Sequence, residues 1–316
     1  MNVLSLFDGM SCGRLALGRA GIEVDNYYSS EIDKYAIKVA DNNYSQDIQN
    51  RLGDVFTINH DKLKDISLII GGSPCTFWSI ARHKNKEVDN TGVGYKMFME
   101  YSKALKRHNP KYFFYENNFG IHKDIQSEIS KELGVDPITI NSSLLSAQNR
   151  KRLYWTNIPF EIIEDKNIIL SDILEDNTSS KLFLQKEYEI IKKQLSNRKS
   201  NLEFLGGIMS KDRWLKGADY SRNFSQGNRV YGVSKKSVCL TANGGGLGAK
   251  TGLYYMGKNI DNISCKEIRR LSPLECERLQ TLPDNYTSGV SNSQRYKMLG
   301  NGWTVDVVAH IFKGLK

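Results

Sequence analysis

No apolar run in this chain approaches the length of a membrane span. The opening Met1-Asn2-Val3-Leu4-Ser5-Leu6-Phe7-Asp8 lacks the basic start and long apolar core of a secretion signal, and it runs straight into a strand pattern. Cysteine is sparse. Cys12, Cys75, Cys239, Cys265 and Cys276 are odd in number, widely spaced, and never Cys-x-x-Cys. That pattern disfavours both a disulfide framework and a zinc site, and it points to free thiols in a reducing cytoplasm with no metal. Internal repeats and low-complexity tracts are missing as well. So is the Gly-x-Gly-x-x-Gly fingerprint of dinucleotide binding.

What is present suits a folded chain. Its 316 residues, 40% hydrophobic and 25% charged, make one large domain or two unequal ones. Net charge is +9, and the excess is concentrated: Lys181 to Lys236 holds 13 Lys/Arg against 5 Asp/Glu. A basic block of that kind is the electrostatic footprint of a nucleic-acid partner.

One stretch organises the rest. Ser67-Leu68-Ile69-Ile70-Gly71-Gly72-Ser73-Pro74-Cys75 begins as a buried strand and ends in a rigid Gly/Pro turn that presents a thiol. Ligands and chemistry collect at strand ends in α/β sheets. The polar residues that follow, including Thr76, Ser79, Arg82, His83 and Lys84, are unlike a core, and Ser79 to Gly94 reads as a lid loop.

Around it, Asn2 to Phe7 reads as a first strand entering Phe7-Asp8-Gly9-Met10-Ser11-Cys12-Gly13 and then a helix, a nucleotide-type βα unit. Glu23 to Ser30 reads as a second strand ending at Glu31, placed to bond ribose hydroxyls. Asp33 to Ala40 reads as a helix. Gly53-Asp54-Val55 sits at the tip of a third, short strand, where Asp54 suits an exocyclic amine. Tyr95 to Arg107 is helix-like and offers Met97 or Phe98 to a cofactor pocket. Tyr112 to Asn118 is a buried strand carrying Glu116, so an acid and a thiol stand at neighbouring strand tips. After a helix from Asp124 to Leu133, strands at Ile138–Ser142 and Leu153–Thr156 flank Ala147 to Arg152. On an extended segment Gln148, Arg150 and Arg152 share one face, ready to hold a base or a phosphate.

Composition shifts near Ser171–Ser180. Gln226 to Tyr231 and Cys239 to Gly246 read as two backbone-exposing recognition loops. Ile268 to Pro283 returns to a helical pattern, and Val305 to Leu315 reads as an apolar C-terminal helix. The expected division is a catalytic domain over 1–175, completed by 267–316, with a recognition domain over 176–266.

In this order the motifs resemble those of the DNA cytosine 5-methyltransferase family. Phe7-Asp8-Gly9 is similar to its first motif, Glu31 and Asp54 to its cofactor acids, Ser73-Pro74-Cys75 to its nucleophile motif, and Glu116-Asn117 to its catalytic glutamate motif. Gln148-x-Arg150-x-Arg152, Arg270 to Gln280, and Gly300-Asn301 resemble three later ones. The first half resembles animal de novo DNA methyltransferases, through Leu6-Phe7-Asp8-Gly9 and Gly71-Gly72-Ser73-Pro74-Cys75. The recognition loops resemble small bacterial modification enzymes, particularly one that reads GCGC. Thr76, Asn118 and Ser11-Cys12 depart from the commonest family residues.

The resemblance implies an α/β, Rossmann-like S-adenosylmethionine-dependent methyltransferase fold with a smaller, mainly β or irregular target-recognition domain. It implies catalysis by Cys75, Glu116 and Arg152 with Gln148 and Arg150. S-adenosylmethionine, leaving as S-adenosylhomocysteine, would contact Phe7, Asp8, Gly9, Met10, Ser11, Cys12, Gly13, Glu31, Ile32, Asp54, Val55, Pro74, Met97, Asn301 and Trp303. Double-stranded DNA would contact Ser79, Arg82, Gln226, Arg229, Cys239, Thr241, Gly245 and Gly246, with Gln226 filling the gap left by a flipped cytosine and Arg229 reading a guanine. The expected protein is a monomeric bacterial or phage-encoded enzyme with a possible cognate restriction endonuclease and no membrane association. The rivals are a tRNA cytosine methyltransferase, an inactive DNA-binding relative, and a nicotinamide-dependent oxidoreductase, which the missing glycine fingerprint disfavours.

Overall fold

The computed structural model describes residues 1–74, 78, 87, 89–192, 201–209 and 224–316. These fall into two compact units, one of 1–141, 151–163 and 302–316, the other of 142–150 and 164–301.

The first unit is an α/β sheet. Its strands are β1 (Asn2–Leu6), β2 (Asn26–Ser30), β3 (Ile66–Gly71), β4 (Tyr112–Asn118), β5 (Ile138–Asn141) and β6 (Lys151–Thr156), in the order β2-β1-β3-β4-β6-β5. β1 runs parallel to both β2 and β3, and β3 to β4, whereas β6 is antiparallel to β4 and β5. Strands covered on both faces need continuous apolar runs. Val3, Leu4 and Leu6 on β1 and Leu68, Ile69 and Ile70 on β3 are accordingly inaccessible to solvent.

Among the described residues, four α-helices connect these strands: α1 (Cys12–Arg19), α2 (Lys34–Asn43), α3 (Val93–His108) and α4 (Lys123–Leu133). Asp33 caps α2 by accepting from Tyr35 N, and Gly134 ends α4 at a positive φ of 71°. The C-terminal helix Val305–Phe312 buries Val305, Val308, Ile311 and Phe312 at helical spacing. Each such side chain contributes roughly 1.5–3 kcal/mol on burial. Arg19 of α1 pairs with Asp306 at 2.6 Å, and Phe312 meets Phe114 of β4 edge-on.

Three sequence expectations change. The second strand starts at Asn26 rather than Glu23, since Glu23 O and the Asp25 carboxylate are taken up by the Met1 ammonium. The short strand expected near Gly53 shrinks to a single bridge between Ser29 and Arg51. Gly53 turns left-handed at φ 72° and its carbonyl accepts from Ser30 Oγ, which ends the extended run. The helical pattern from Ile268 opens instead as a strand, because the helix start is fixed four residues later by Ser272, Pro273 and Glu275 in a capping box.

The second unit holds a five-stranded sheet built from β7 (Glu189–Lys192), β8 (Phe204–Met209), β9 (Arg229–Tyr231), β10 (Leu253–Tyr255) and β11 (Ile268–Arg269), in the order β11-β10-β9-β8-β7. Ile208, Val230, Leu253, Tyr255 and Ile268 form its core. It also carries α5 (Pro273–Leu279) and α6 (Asn292–Asn301). This unit extends beyond the 176–266 segment marked by composition. Gln148 bridges to Ser237, Leu170 N donates to Lys235 O, and Arg270 N donates to Leu182 O, which ties the flanking segments in. Among the described residues no helix is long and apolar enough to cross a membrane.

The first unit also holds two imidazoles in contact. His60 Nδ1 and His108 Nε2 lie 3.0 Å apart, so a single proton serves both nitrogens. Burial, assisted by the Arg107 charge near His60 and by His60 and Arg107 near His108, holds both imidazoles below their ordinary value. A depressed histidine leaves the unfolded chain binding more protons, so stability is full above about pH 6.5 and declines as pH falls below it. Urea midpoints measured from pH 7.5 to 5 are expected to fall with acid, and less steeply in a His60→Gln/His108→Gln variant. Equal slopes would show that the pair does not control the response.

Candidate active site

β1 delivers the chain into a tight turn before α1. Phe7, Gly9 and Ser11 all adopt positive φ, near 60°. Two of these are not glycine, and such conformations cost of order 1 kcal/mol or more each unless the surroundings impose them. Asp8 imposes them here. Its Oδ1 accepts from Ser5 Oγ at 2.7 Å and Tyr27 OH at 2.6 Å, and its Oδ2 accepts from Ser11 Oγ at 2.5 Å with Arg51 at 3.4 Å. Burial raises the Asp8 pKa, opposed by those hydroxyls and by Arg51. Asp8 and Ser11 are among the residues expected at the cofactor. Their side chains turn inward and hold the turn, and Met10 and Cys12 are buried with them. A Cβ on Gly13 would lie 2.4 Å from Ile70 Cδ1, so α1 packs on β3 only with glycine there. Gly9 faces open space, where a Cβ would meet nothing within 4 Å.

At the end of β2, Glu31 is clamped by backbone. Its Oε2 accepts from Gly9 N, and its Oε1 from Ile32 N and Asp33 N, each at 2.8 Å. Burial raises its pKa against those three donors. A carboxylate has about four lone-pair positions, so this one is aimed and retains capacity for a hydroxyl. Asp54 is exposed and accepts from Phe56 N. Val55, expected beside the cofactor, has its side chain in the core. Two large apolar side chains next to these acids are exposed instead: Ile32 at 71% and Phe56 at 52%. Phe56 escaped the sequence reading; its only signal was an aromatic two residues after Asp54. Met97 is half-buried on α3, where Phe98 and Tyr101 enter the core.

The second focus lies where β3, β4 and β6 end. Register pairs Asn118 with Arg152 and Glu116 with Tyr154. Arg152 Nε stands 3.1 Å from Glu116 Oε1, both side chains being 11% exposed. Trp303 Nε1 donates to Glu116 Oε2 at 3.0 Å. A Cβ on Gly72 would lie 2.8 Å from Glu116 O, so the end of β3 runs directly against this acid. The Ser73-Pro74 segment is pinned to β4: Asn117 Nδ2 donates to Ser73 O at 3.0 Å, and Ser73 Oγ and Tyr115 OH are 2.7 Å apart. Burial pushes the Tyr115 hydroxyl well up, which keeps it neutral. Pro74 is exposed. Cys75, Ser79 and Arg82 lie outside the described residues.

Gln148 and Arg150 belong to the second unit, and Arg152 to the first. Both are buried in the second unit. Gln148 Nε2 donates to Leu279 O and Gln280 Oε1, and its Oε1 accepts from Leu240 N. Arg150 donates to Leu240 O, Gly300 O and Cys239 Sγ. Residues 147–150 leave strand geometry before β6 begins, so the period-2 rule fails there. Cys239, expected at DNA, is half-buried against Arg150.

The two glycine-bearing loops do meet. Gly248 N donates to Gly227 O at 2.7 Å, and a Cβ on Gly227 would lie 1.9 Å from Gly245 O. Gln226, Gly245 and Gly246 are exposed, and Thr241 is half-buried with its N–H on Lys250 O. Arg229 is fixed by Nε donation to Phe224 O at 2.9 Å. Asn301 is exposed at the end of α6. Among the described residues, no group of three or more His, Cys, Asp or Glu is placed to hold a metal ion.

Comparisons with known proteins agree with this architecture. The chain is 32% identical over 305 residues to the orphan methyltransferase M.Rho11sI of Bacillus phage rho11s, covering 80% of this chain and 60% of that protein. It thus spans less than two thirds of that relative's length. To the type II methyltransferase M.HhaI of Haemophilus parahaemolyticus it is 27% identical over 332 residues, covering 98% and 93%. The solved structure of the Entamoeba histolytica methyltransferase EhMeth shares the fold, with a TM-score of 0.72 at 17% identity over 100% of this chain and 97% of that one. The Rossmann-like sheet is therefore a methyltransferase fold. The family described as C-5 cytosine-specific DNA methylase matches residues 1–316 from end to end, and the chain belongs to that family.

Proposed function

We propose that the protein transfers a methyl group from S-adenosylmethionine to carbon 5 of a cytosine flipped out of duplex DNA. One observation carries the reading: the Glu116 carboxylate is held by Arg152 Nε and Trp303 Nε1 against the β3 end that leads through Ser73-Pro74 to Cys75.

Cytosine carbon 5 is a poor nucleophile. The Cys75 thiolate adds to carbon 6, forming a carbon–sulfur bond and pushing electron density toward ring N3. Glu116 meets that density with a proton or a hydrogen bond at N3. The ring is then enamine-like and carbon 5 becomes the nucleophile. Arg152 holds the base carbonyl while charge develops. A base afterwards removes the carbon 5 proton, the electron pair restores the 5,6 double bond, and Cys75 departs as thiolate. Flipping the base costs a few kcal/mol, drawn from duplex contacts.

S-adenosylmethionine would supply an electrophilic methyl on its sulfonium: carbon 5 would take the methyl as the sulfur–methyl bond breaks, before the carbon 5 proton is removed, and S-adenosylhomocysteine would leave. The first unit has features that fit it: backbone open at Gly9, the clamped Glu31 carboxylate for ribose hydroxyls, and exposed Ile32 and Phe56 beside Asp54 for a planar base. The second unit's loops would read the duplex, with Gln226 in the gap and Arg229 on a guanine edge. A bidentate Arg–G contact discriminates by roughly 1–3 kcal/mol, so the site should hold G next to the target C. We place the protein as a monomer in the cytoplasm of a bacterial cell, encoded by host or phage, with or without a cognate endonuclease.

Base-resolution mapping tests this. Unmethylated plasmid is treated with protein and S-adenosylmethionine, with Cys75→Ser in parallel. Methylcytosine at one short G-containing motif, lost in the variant, is the expected outcome. Its absence with wild-type protein would overturn the reading.

A further inference from the structure

Trp303 stands at a junction. Its indole edge packs on Phe114 of β4 with ring centroids 5.1 Å apart. A Cβ on Gly13, at the start of α1, would come within 3.3 Å of the indole. Its single strong donor, Nε1–H, is given to Glu116 Oε2 at 3.0 Å. Glu116 Oε1 is meanwhile held by Arg152. The carboxylate is therefore gripped at both oxygens, and one grip comes from a ring wedged beside the helix that follows the cofactor turn.

We propose that Trp303 is a positioning residue for Glu116. Its N–H fixes the rotamer of the acid. This rests on the methyltransferase reading above and goes beyond it: Trp303 was expected as a cofactor contact, and the geometry assigns it to the acid. Three consequences follow from the chemistry. A donor to a carboxylate stabilises the anion, so removing it raises the pKa of Glu116, and because this acid must carry its proton to serve N3, the basic limb of the pH–rate profile shifts upward. Loss of one charge-assisted hydrogen bond should slow turnover about tenfold or more. A residue that acts through Glu116 should matter little once Glu116 is altered.

The test uses full-length Trp303→Phe, together with a protein carrying benzothienylalanine at 303, which keeps the bicyclic shape and lacks the N–H. The expected result is a kcat lowered about tenfold, little change in S-adenosylmethionine affinity by calorimetry, and a basic limb raised by about one pH unit. Adding Trp303→Phe to Glu116→Gln should cost less than about threefold further. The benzothienyl protein keeps the test alive should the phenylalanine variant fold poorly. An unmoved basic limb, or weakened cofactor binding that is additive with Glu116→Gln, overturns the proposal. Either result would leave the methyltransferase reading standing, since that falls only if wild-type protein methylates no cytosine.

Discussion

Arg150→Ala is expected to lower the melting temperature by roughly 10 °C, whereas Arg152→Ala, two residues on, lowers it less and cuts turnover by about 100- to 1,000-fold. Arg150 is 2% exposed, and its guanidinium serves Leu240 O, Gly300 O and Cys239 Sγ. Truncation strands two buried carbonyls and opens a cavity where a long side chain stood. Each stranded acceptor costs about 1–3 kcal/mol, and deletion of a large buried side chain about 2–5 kcal/mol. The terms overlap, so about 3–5 kcal/mol is the expected total. Arg152 differs in kind. At the start of β6, its Nε faces the Glu116 carboxylate of β4. Losing a donor aimed at developing charge lowers kcat by about 100- to 1,000-fold. Calorimetric melts alongside methyl-transfer rates separate the two. If both variants melted early by the same amount, the division of labour within Gln148-x-Arg150-x-Arg152 would be wrong.

That division shows what the sequence discloses. β1, β3 and β4 were legible because strands covered on both faces must be apolar throughout, and Glu116 was legible because it ends such a run. The turn at Phe7-Asp8-Gly9 was legible as a place. The duty of Asp8 was not, because its partners Tyr27 and Arg51 stand 19 and 43 residues away. Gln148 and Arg150 share that history. Extended geometry put them on a face with Arg152, but Ser146 Oγ bonds to Leu279 O, 133 residues distant, and the segment bends into the second unit. Local periodicity carries no information about contacts of that span. Phe56 was missed for a related reason: its exposure follows from the left-handed Gly53 that cut short an expected strand.

Gly300→Ala is the companion case, because intrinsic propensity argues the opposite way. Gly300 lies within α6, where alanine should gain about 1 kcal/mol over glycine. Its Cβ, however, would lie 2.3 Å from Ala242 N and 2.4 Å from Thr241 C. Those are backbone atoms, and they cannot rotate aside. Nor can their segment drift: Leu240 N is bound by Gln148 Oε1 and Thr241 N by Lys250 O, both at 2.9 Å. Relief requires moving α6 away, which lengthens the bonds from Arg150 to Gly300 O and from Gln280 to Leu299 O. Overpacking against a fixed wall costs about 1–3 kcal/mol, sometimes more, and the loosened hydrogen bonds add to it, so the steric side exceeds the propensity gain. The variant should melt several degrees below wild type. Because Arg150 and Gly300 share one bond, the Arg150→Ala/Gly300→Ala double variant should lose less than the sum of the single losses. A Gly300→Ala protein as stable as wild type would mean that α6 and the 241–242 backbone do not approach this closely, and the hydrogen-bond knot around Arg150 would lose its tightest constraint.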